Sequence, residues 1–458
     1  MLTYTFENKT PLYESLYKQI KEDIHNGKLK PHEKLPSKRT FAKHLNISTI
    51  TIENAYAQLM AEGYIYSKPK SGFYVSDFII NKKKEQKYIN YQSSNKQNYI
   101  ADFVSNEISV NNFPFSIWGK LTKETLLDNP DLLMKRSPSI GLIELRKAIA
   151  AYLYQFRGMN IHPDQIIIGA GTEYLYGLLI QLLGRNKIYA LEDPGYQTIR
   201  KIYESYEVNI VTLPLDNDGI NIDKLKNSNA NILHISPSHH FPTGIVTPIK
   251  RRSEILKWAN AQENRYIIED DYDSEFRLVG KPIPTLQSID NEEKVIYMNT
   301  FSKSLTSTIR ISYMVLPHHL IKKYQEQLSF YSCTVSNFEQ LTLAKFIEKG
   351  YFERHINRMR NFYKTQRNQL IDCILKHPHS NQIKIREENS GLHFLIEVNS
   401  NYTDEQIIQR GKEKGIRLAC LSNYTIDKSD QNIITINYSK LENIEQAVNI
   451  LFEVIKRD

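Results

Sequence analysis

The sequence predicts a multidomain chain: a small, mainly α module closed by a β hairpin, then a larger α/β body that ends in a smaller α+β part. Three observations predict it. At 458 residues the chain exceeds what one hydrophobic core usually serves. The net charge of +8 sits at one end: residues 1–98 hold 16 Lys and Arg against 9 Asp and Glu, and the rest is balanced, 43 against 42. Near residue 100 the rhythm changes from short amphipathic helices to alternating strands and helices. The expected boundaries are residues 1–78 for the first module, 79–98 for a linker and 99–458 for the body. Within the body, a large part is expected over about 146–325 and a small part over about 326–458.

In the first module Leu12, Leu16, Ile20 and Ile24 recur every four residues, one face of a helix, and Gly27 follows as a stop. LPSKRTFAKHL (35–45) reads as a second helix with Ser37 as N-cap, and Ser48 caps a third that runs to about Glu62. In that third helix Ile52, Ala55, Tyr56 and Leu59 are expected to face inward, with Gly63 ending it. YIYSKPKSGFYV (64–75) is two short β runs around a turn. Three helices and a basic hairpin make a winged helix-turn-helix, whose third helix can enter a DNA major groove. Lys68 and Lys70 then lie on the wing near phosphate. The local basic excess fits a polyanion partner docking at this end. Residues 79–98 are polar and basic, as expected of a linker, with Lys82 to Lys84 a solvated charge run.

The body opens with the strand QIIIG (165–169) before a helix starting near Thr172. KIYALED (187–193), NILHIS (231–236), YIIED (266–270) and KVIYMN (294–299) follow as further short strands. Helical segments between them predict a mainly parallel sheet with crossover helices. A long helical stretch after about 325 leads to strands near HFLIEV and NIITINY. YGLLIQLLG (176–184), among the longest apolar runs, is far shorter than the roughly 18–20 residues a membrane span needs. The N-terminus lacks the pattern of a secretory signal. Cys333, Cys373 and Cys420 have no metal-ligand spacing and read as thiols of a reducing compartment, so no metal is expected and the protein is expected in the cytoplasm.

An α/β sheet binds ligands at the carboxyl ends of its strands, and several reactive residues fall there. In GAGTEY (169–174) a glycine turn opens a helix, so the amides of Gly171, Thr172 and Glu173 can cradle a phosphate. YIIEDDYDSEF ends its strand in Asp270 and Asp271, with Tyr272 next. NTFSK puts Thr300, Ser302 and Lys303 at another strand end, with Arg310 in reach. Together these are what pyridoxal 5'-phosphate (PLP) requires: a lysine for a Schiff base, a carboxylate for the pyridine nitrogen, a phenol for the ring oxygen, and hydroxyls, an arginine and a helix start for the phosphate. Tyr196, in LEDPGY, is placed to stack on the ring.

The first module resembles the GntR class of bacterial regulators in LPSKR, the AYAQLMAEGYI run and the SGFYV wing. The body resembles fold-type I aminotransferases in IIGAGTEYL, LEDPGY, SPSHHFPTG, YIIEDDYDSEF and NTFSKSLTSTIRISYMVLP. The whole chain is identified as a member of the MocR subfamily of GntR regulators. The resemblance implies DNA contacts from Ser37 and Arg39, from the start of the third helix at Ser48, and from the wing about Gly72. An arginine is common just after the helix-three cap; Thr49 stands there, so base readout falls to Thr49, Thr51 and Asn54. In the body the resemblance implies Lys303 as the Schiff-base lysine, Asp270 on the pyridine nitrogen, Tyr272 on the ring hydroxyl, Tyr196 on the ring, and Arg310 and Ser302 on the phosphate. It also implies a homodimer, with the winged helix of one chain over the partner's body.

The departures are informative. Phe241 stands where aminotransferases have an asparagine, and His240 where the family commonly has glutamine. Gln197 and Thr198 occupy the place of one substrate-carboxylate arginine, and Tyr438 that of the other, with Arg200 and Lys440 displaced nearby. Neither a neutral side chain nor a lysine reproduces bidentate guanidinium pairing. This pattern resembles the PdxR-like branch: a DNA-binding regulator that senses PLP and controls vitamin B6 synthesis genes, not a working enzyme beyond a possible half-transamination. Attachment of PLP at Lys303 is expected to shift closure of the small part and the placement of the wing. The alternatives are a regulator of amino-acid or efflux genes with an amino compound as co-effector, and an active aminotransferase carrying a DNA-binding appendage.

Overall fold

The computed structural model describes residues 2–6, 10–77, 99–105, 110–280, 283–388 and 391–456; the expected linker, 79–98, lies outside them. The chain divides into two compact units, residues 1–95 and 96–458.

In the first unit helix α1 (Leu12–His25) buries Leu16, Ile20 and Ile24. Leu12, expected on the same face, is exposed, because it opens the first turn and projects beyond the small core. Helix α2 (Lys38–Leu45) starts at Ser37, whose Oγ accepts from Thr40 N at 3.2 Å, and ends at Asn46 in the left-handed region, φ 54°. Helix α3 (Thr49–Ala61) is capped by Ser48 Oγ, which accepts from Ile50 N at 3.2 Å, and it buries Ile52, Ala55, Tyr56 and Leu59. Strands β1 (Ile65–Lys68) and β2 (Gly72–Val75) pair antiparallel, Lys68 opposite Gly72. Gly72 has φ 118°, a backbone that L side chains rarely adopt, so the wing's turn depends on it. Phe41, Tyr56, Leu59 and Val75 close the core against α1.

In the second unit a short strand β3 (Ala101–Asp102) precedes β4 (Ile166–Gly169), β5 (Ile188–Asp193), β6 (Asn209–Asp216), β7 (Gly219–Ile220), β8 (Ile232–Ile235), β9 (Tyr266–Asp270), β10 (Val295–Thr300) and β11 (Ser312–Val315). Strands β4 to β11 form one sheet in the order β4-β11-β10-β9-β8-β5-β6-β7. Strands β10, β9, β8, β5 and β6 are mutually parallel, and β11 is antiparallel to both its neighbours. The five expected strands are present; β6, β7 and β11 are additional. The direction of β11 matters for the site. Its first residue, Ser312, sits opposite Thr300, the last of β10, and opposite Gly169, the last of β4. Arg310, just before β11, therefore arrives at the edge where the parallel strands end.

The later part carries β12 (Ile383–Arg386), β13 (His393–Val398), β14 (Ile416–Arg417) and β15 (Ile433–Asn437). Strands β12, β13 and β15 form an antiparallel sheet, and β14 pairs with β3. The 26-residue helix Tyr351–Lys376 and the helix Ile444–Ile455 pack beside this second sheet.

Candidate functional sites

At the carboxyl edge of the large sheet lies a cavity of about 410 Å³, and its lining unites residues from segments far apart in sequence. Thr172 and Glu173 follow β4, Tyr196 follows β5, Asp270 ends β9 and Tyr272 lies just beyond it, Thr300 ends β10, and Ser302, Lys303 and Arg310 lie between β10 and β11. Gly171 stands immediately behind: a Cβ there would lie 2.3 Å from Arg310 Nη2. Only glycine lets that guanidinium lie across the start of helix Thr172–Leu183, and at φ 93° only glycine suits the backbone. Arg310 pairs with the Glu173 carboxylate.

Asp270 is 5% exposed, and its two oxygens differ. Oδ2 accepts from Tyr176 Oη at 2.6 Å and lies 3.6 Å from His234 Nε2, whose other ring nitrogen meets Tyr203 Oη at 2.8 Å. Oδ1 is buried with no hydrogen-bond partner, as is Ser302 Oγ. Buried carboxylate oxygens are rarely left so; an unpartnered oxygen on a residue that lines the cavity fits a ligand that brings an N–H. Burial lowers the pKa of the Lys303 amine, an effect Asp273 partly opposes, so more of it is the neutral nucleophile than in a free lysine. Thr300 Oγ1 is committed internally, accepting from Ser302 N at 3.1 Å and from Ser312 Oγ at 2.8 Å; it orients the turn that carries Lys303. Tyr272 Oη lies 3.4 Å from His239 Nδ1, which is 2.8 Å from Asp273 Oδ2.

The rest of the described lining, an aromatic and hydroxyl wall, is neutral. Tyr196, half-exposed, meets Phe241 edge-on at 5.9 Å, and Phe241 meets Tyr424 edge-on at 5.0 Å. Thr198 and Ile199 continue this wall. Among the described residues the lining cations are Lys303 and Arg310. Arg200 turns to Glu204, at 2.7 Å. Tyr438 is 1% exposed and does not line the cavity, and its hydroxyl donates to the Gly391 carbonyl. Below the wall, Glu192 Oε2 lies 3.5 Å from His240 Nε2. Burial pushes Glu192 up to about 8 and His240 down to about 3, so both are neutral near pH 7.

Sequence reasoning missed Tyr176, His234 and Tyr424. Tyr176 had a signal, since it lies four residues after Thr172 on the same helix face. Tyr424 had none; it reaches the wall from far along the chain, where its carbonyl accepts from Gln197 Nε2 at 2.7 Å.

In the first unit Ser37, Arg39, Ser48, Thr49, Asn54, Lys68 and Lys70 are exposed, and Thr51 and Gly72 are half-buried. The Ser37 and Ser48 hydroxyls hold helix caps as well. Lys68 Nζ lies 4.8 Å from the centre of the Tyr74 ring. Ile50, which sequence reasoning passed over, is 67% exposed beside Thr49.

Known proteins agree with this division. Residues 12–75 match the bacterial regulatory proteins of the gntR family, and residues 101–451 match aminotransferase class I and II. The chain is 43% identical to the uncharacterized HTH-type transcriptional regulator YdeL of Bacillus subtilis, over 90% of each chain. It is 27% identical to the pyridoxine biosynthesis transcriptional regulator PdxR of Corynebacterium glutamicum, over 91% of this chain and 89% of that one. Among solved structures, a kynurenine aminotransferase of Pyrococcus horikoshii superimposes with a TM-score of 0.70 at 23% identity, covering 79% of this chain and 91% of the other, a likeness of fold. The chain belongs to the MocR subfamily of GntR transcription regulators, in which a GntR-type DNA-binding module is joined to an aminotransferase class I and II domain.

Proposed function

We propose that this regulator holds PLP in the body's cavity, that PLP is itself the signal, and that the regulated genes serve vitamin B6 synthesis. The observation that carries the reading is the asymmetry of the cavity. One wall offers Lys303, the free oxygen of Asp270, Ser302 and Arg310 over the helix start; the other, among the described residues, has no cation for a substrate carboxylate. Asp270 Oδ1 would accept from the pyridinium N–H, Arg310 with the Gly171–Glu173 amides would take the phosphate, and Tyr196 would cover the ring. When bound, PLP supplies an aldehyde that condenses with a primary amine and a ring that withdraws electrons. The residues described here bind and orient that group; steady transamination is not expected, because nothing on the neutral wall grips an amino acid. The pyridoxine regulator among the relatives supports the link to vitamin B6.

Cofactor binding regulates DNA binding by linkage: PLP must favour one arrangement of the protein over another by about 1–3 kcal/mol. The protein is proposed to act in the cytoplasm as a homodimer, with the winged helix of one chain over the partner's body, reading two half-sites. A second reading, an amino compound as co-effector, is favoured by the aromatic wall of Tyr196, Phe241 and Tyr424, which suits an amine without a carboxylate. The experiment is a DNA-binding titration of the full chain on the fragment upstream of its own gene, with PLP, with candidate amines and with neither. A shift with PLP alone supports the first reading; a shift that requires an amine supports the second; no shift with either rejects both.

A further inference from the structure

The DNA-binding unit carries an apolar side chain that its own packing does not use. Two isoleucines stand two residues apart in α3: Ile52 is fully buried, and Ile50 is 67% exposed and outside the core of the unit. The exposed stripe of α3 is Ile50, Glu53, Asn54 and Ala57, at the spacing of one helix face, opposite Ile52, Ala55 and Leu59. Within that stripe Glu53 is tied to Lys38 at 2.6 Å, so its charge is partly answered inside the protein. Thr49, beside Ile50, has replaced the arginine common at this place, which removes the group best suited to guanine. A β-branched residue in an exposed first turn gains nothing for the helix. The major groove offers one base-edge group that an alkyl side chain suits and water does not, the 5-methyl of thymine.

We propose that Ile50 is a base-reading residue that packs on a thymine 5-methyl group, one per half-site. This rests on the reading of α3 as the groove-entering helix. The test uses the full chain and duplexes enriched from a random-sequence pool by the wild-type protein. Each thymine of the enriched duplex is replaced singly by deoxyuridine, which removes only the methyl group. Wild type is expected to lose about fourfold in affinity at one thymine per half-site, the worth of about one buried methyl. Ile50→Ala is expected to bind the thymine and deoxyuridine duplexes equally, and an exposed position leaves its fold intact. Wild-type affinity that is indifferent to every deoxyuridine overturns the proposal, as does an Ile50→Ala protein that retains the fourfold loss. A pool that enriches no sequence overturns the DNA-binding reading itself, and this inference with it.

Discussion

The two walls of the body's cavity are built from opposite chemistry. On the strand-end wall reactive groups are left available: Asp270 leaves one oxygen free, Arg310 lies over Gly171, and burial favours the neutral, nucleophilic form of Lys303. On the facing wall charge is absent or suppressed: Tyr196, Phe241, Thr198 and Tyr424 are neutral, and the buried pair behind them, Glu192 and His240, holds its ordinary charges off. A cavity with charge on one wall is suited to detect what that wall holds.

The largest effect that sharpens this contrast concerns Glu192. Its folded pKa of about 8 lies above the ordinary 4.5, chiefly through burial, so the folded state binds more protons between those values. Stability is then greatest below about pH 4.5 on this group's account and falls as pH rises through about 8, by on the order of a few kcal/mol. Glu192→Gln mimics the neutral form and should flatten that decline in denaturant titrations from pH 5 to 9; an unchanged slope would mean the wall is charged after all.

Next comes Arg310→Ala. Charged hydrogen bonds contribute about 1.5–3 kcal/mol, so PLP affinity should fall roughly 10- to 100-fold in an absorbance titration, with pyridoxal, which lacks the phosphate, affected little. Equal losses for both ligands would remove the phosphate from Arg310. A smaller effect is expected from Thr198→Arg, which puts a guanidinium on the neutral wall. It should tighten binding of α-amino acids to the PLP-loaded protein roughly tenfold and leave decarboxylated amines unaffected. If both classes respond alike, the neutral wall is not what a substrate carboxylate would meet.

The DNA-binding unit was legible in the sequence because its determinants are local. Ser37 and Ser48 announce helix starts within three residues of the amides they cap, and Ile52, Ala55, Tyr56 and Leu59 follow the helix period. Leu12 shows the limit, since spacing alone does not tell where a small core ends. In the body, short apolar runs ending in Asp270 or leading to Lys303 marked strand ends, but nothing in ISYMV declares that β11 runs against its neighbours and so returns Arg310 to the same edge. Tyr438 lies outside the cavity lining, and spacing alone did not show it. It follows the last residue of β15, and in a strand one residue of register changes the face presented. Its hydroxyl closes onto Gly391. Tyr424 reaches the cavity only through tertiary folding, and no local pattern carries that.

The central claim is that PLP, joined to Lys303, is the signal that DNA binding reports. Its most direct test is a DNA-binding titration of the wild type and of Lys303→Ala on the fragment upstream of the chain's own gene, each with and without PLP. The account predicts that PLP shifts wild-type affinity by about fivefold or more and leaves Lys303→Ala unmoved, with equal DNA affinity for both proteins in its absence. A Lys303→Ala protein that follows PLP as the wild type does would contradict it.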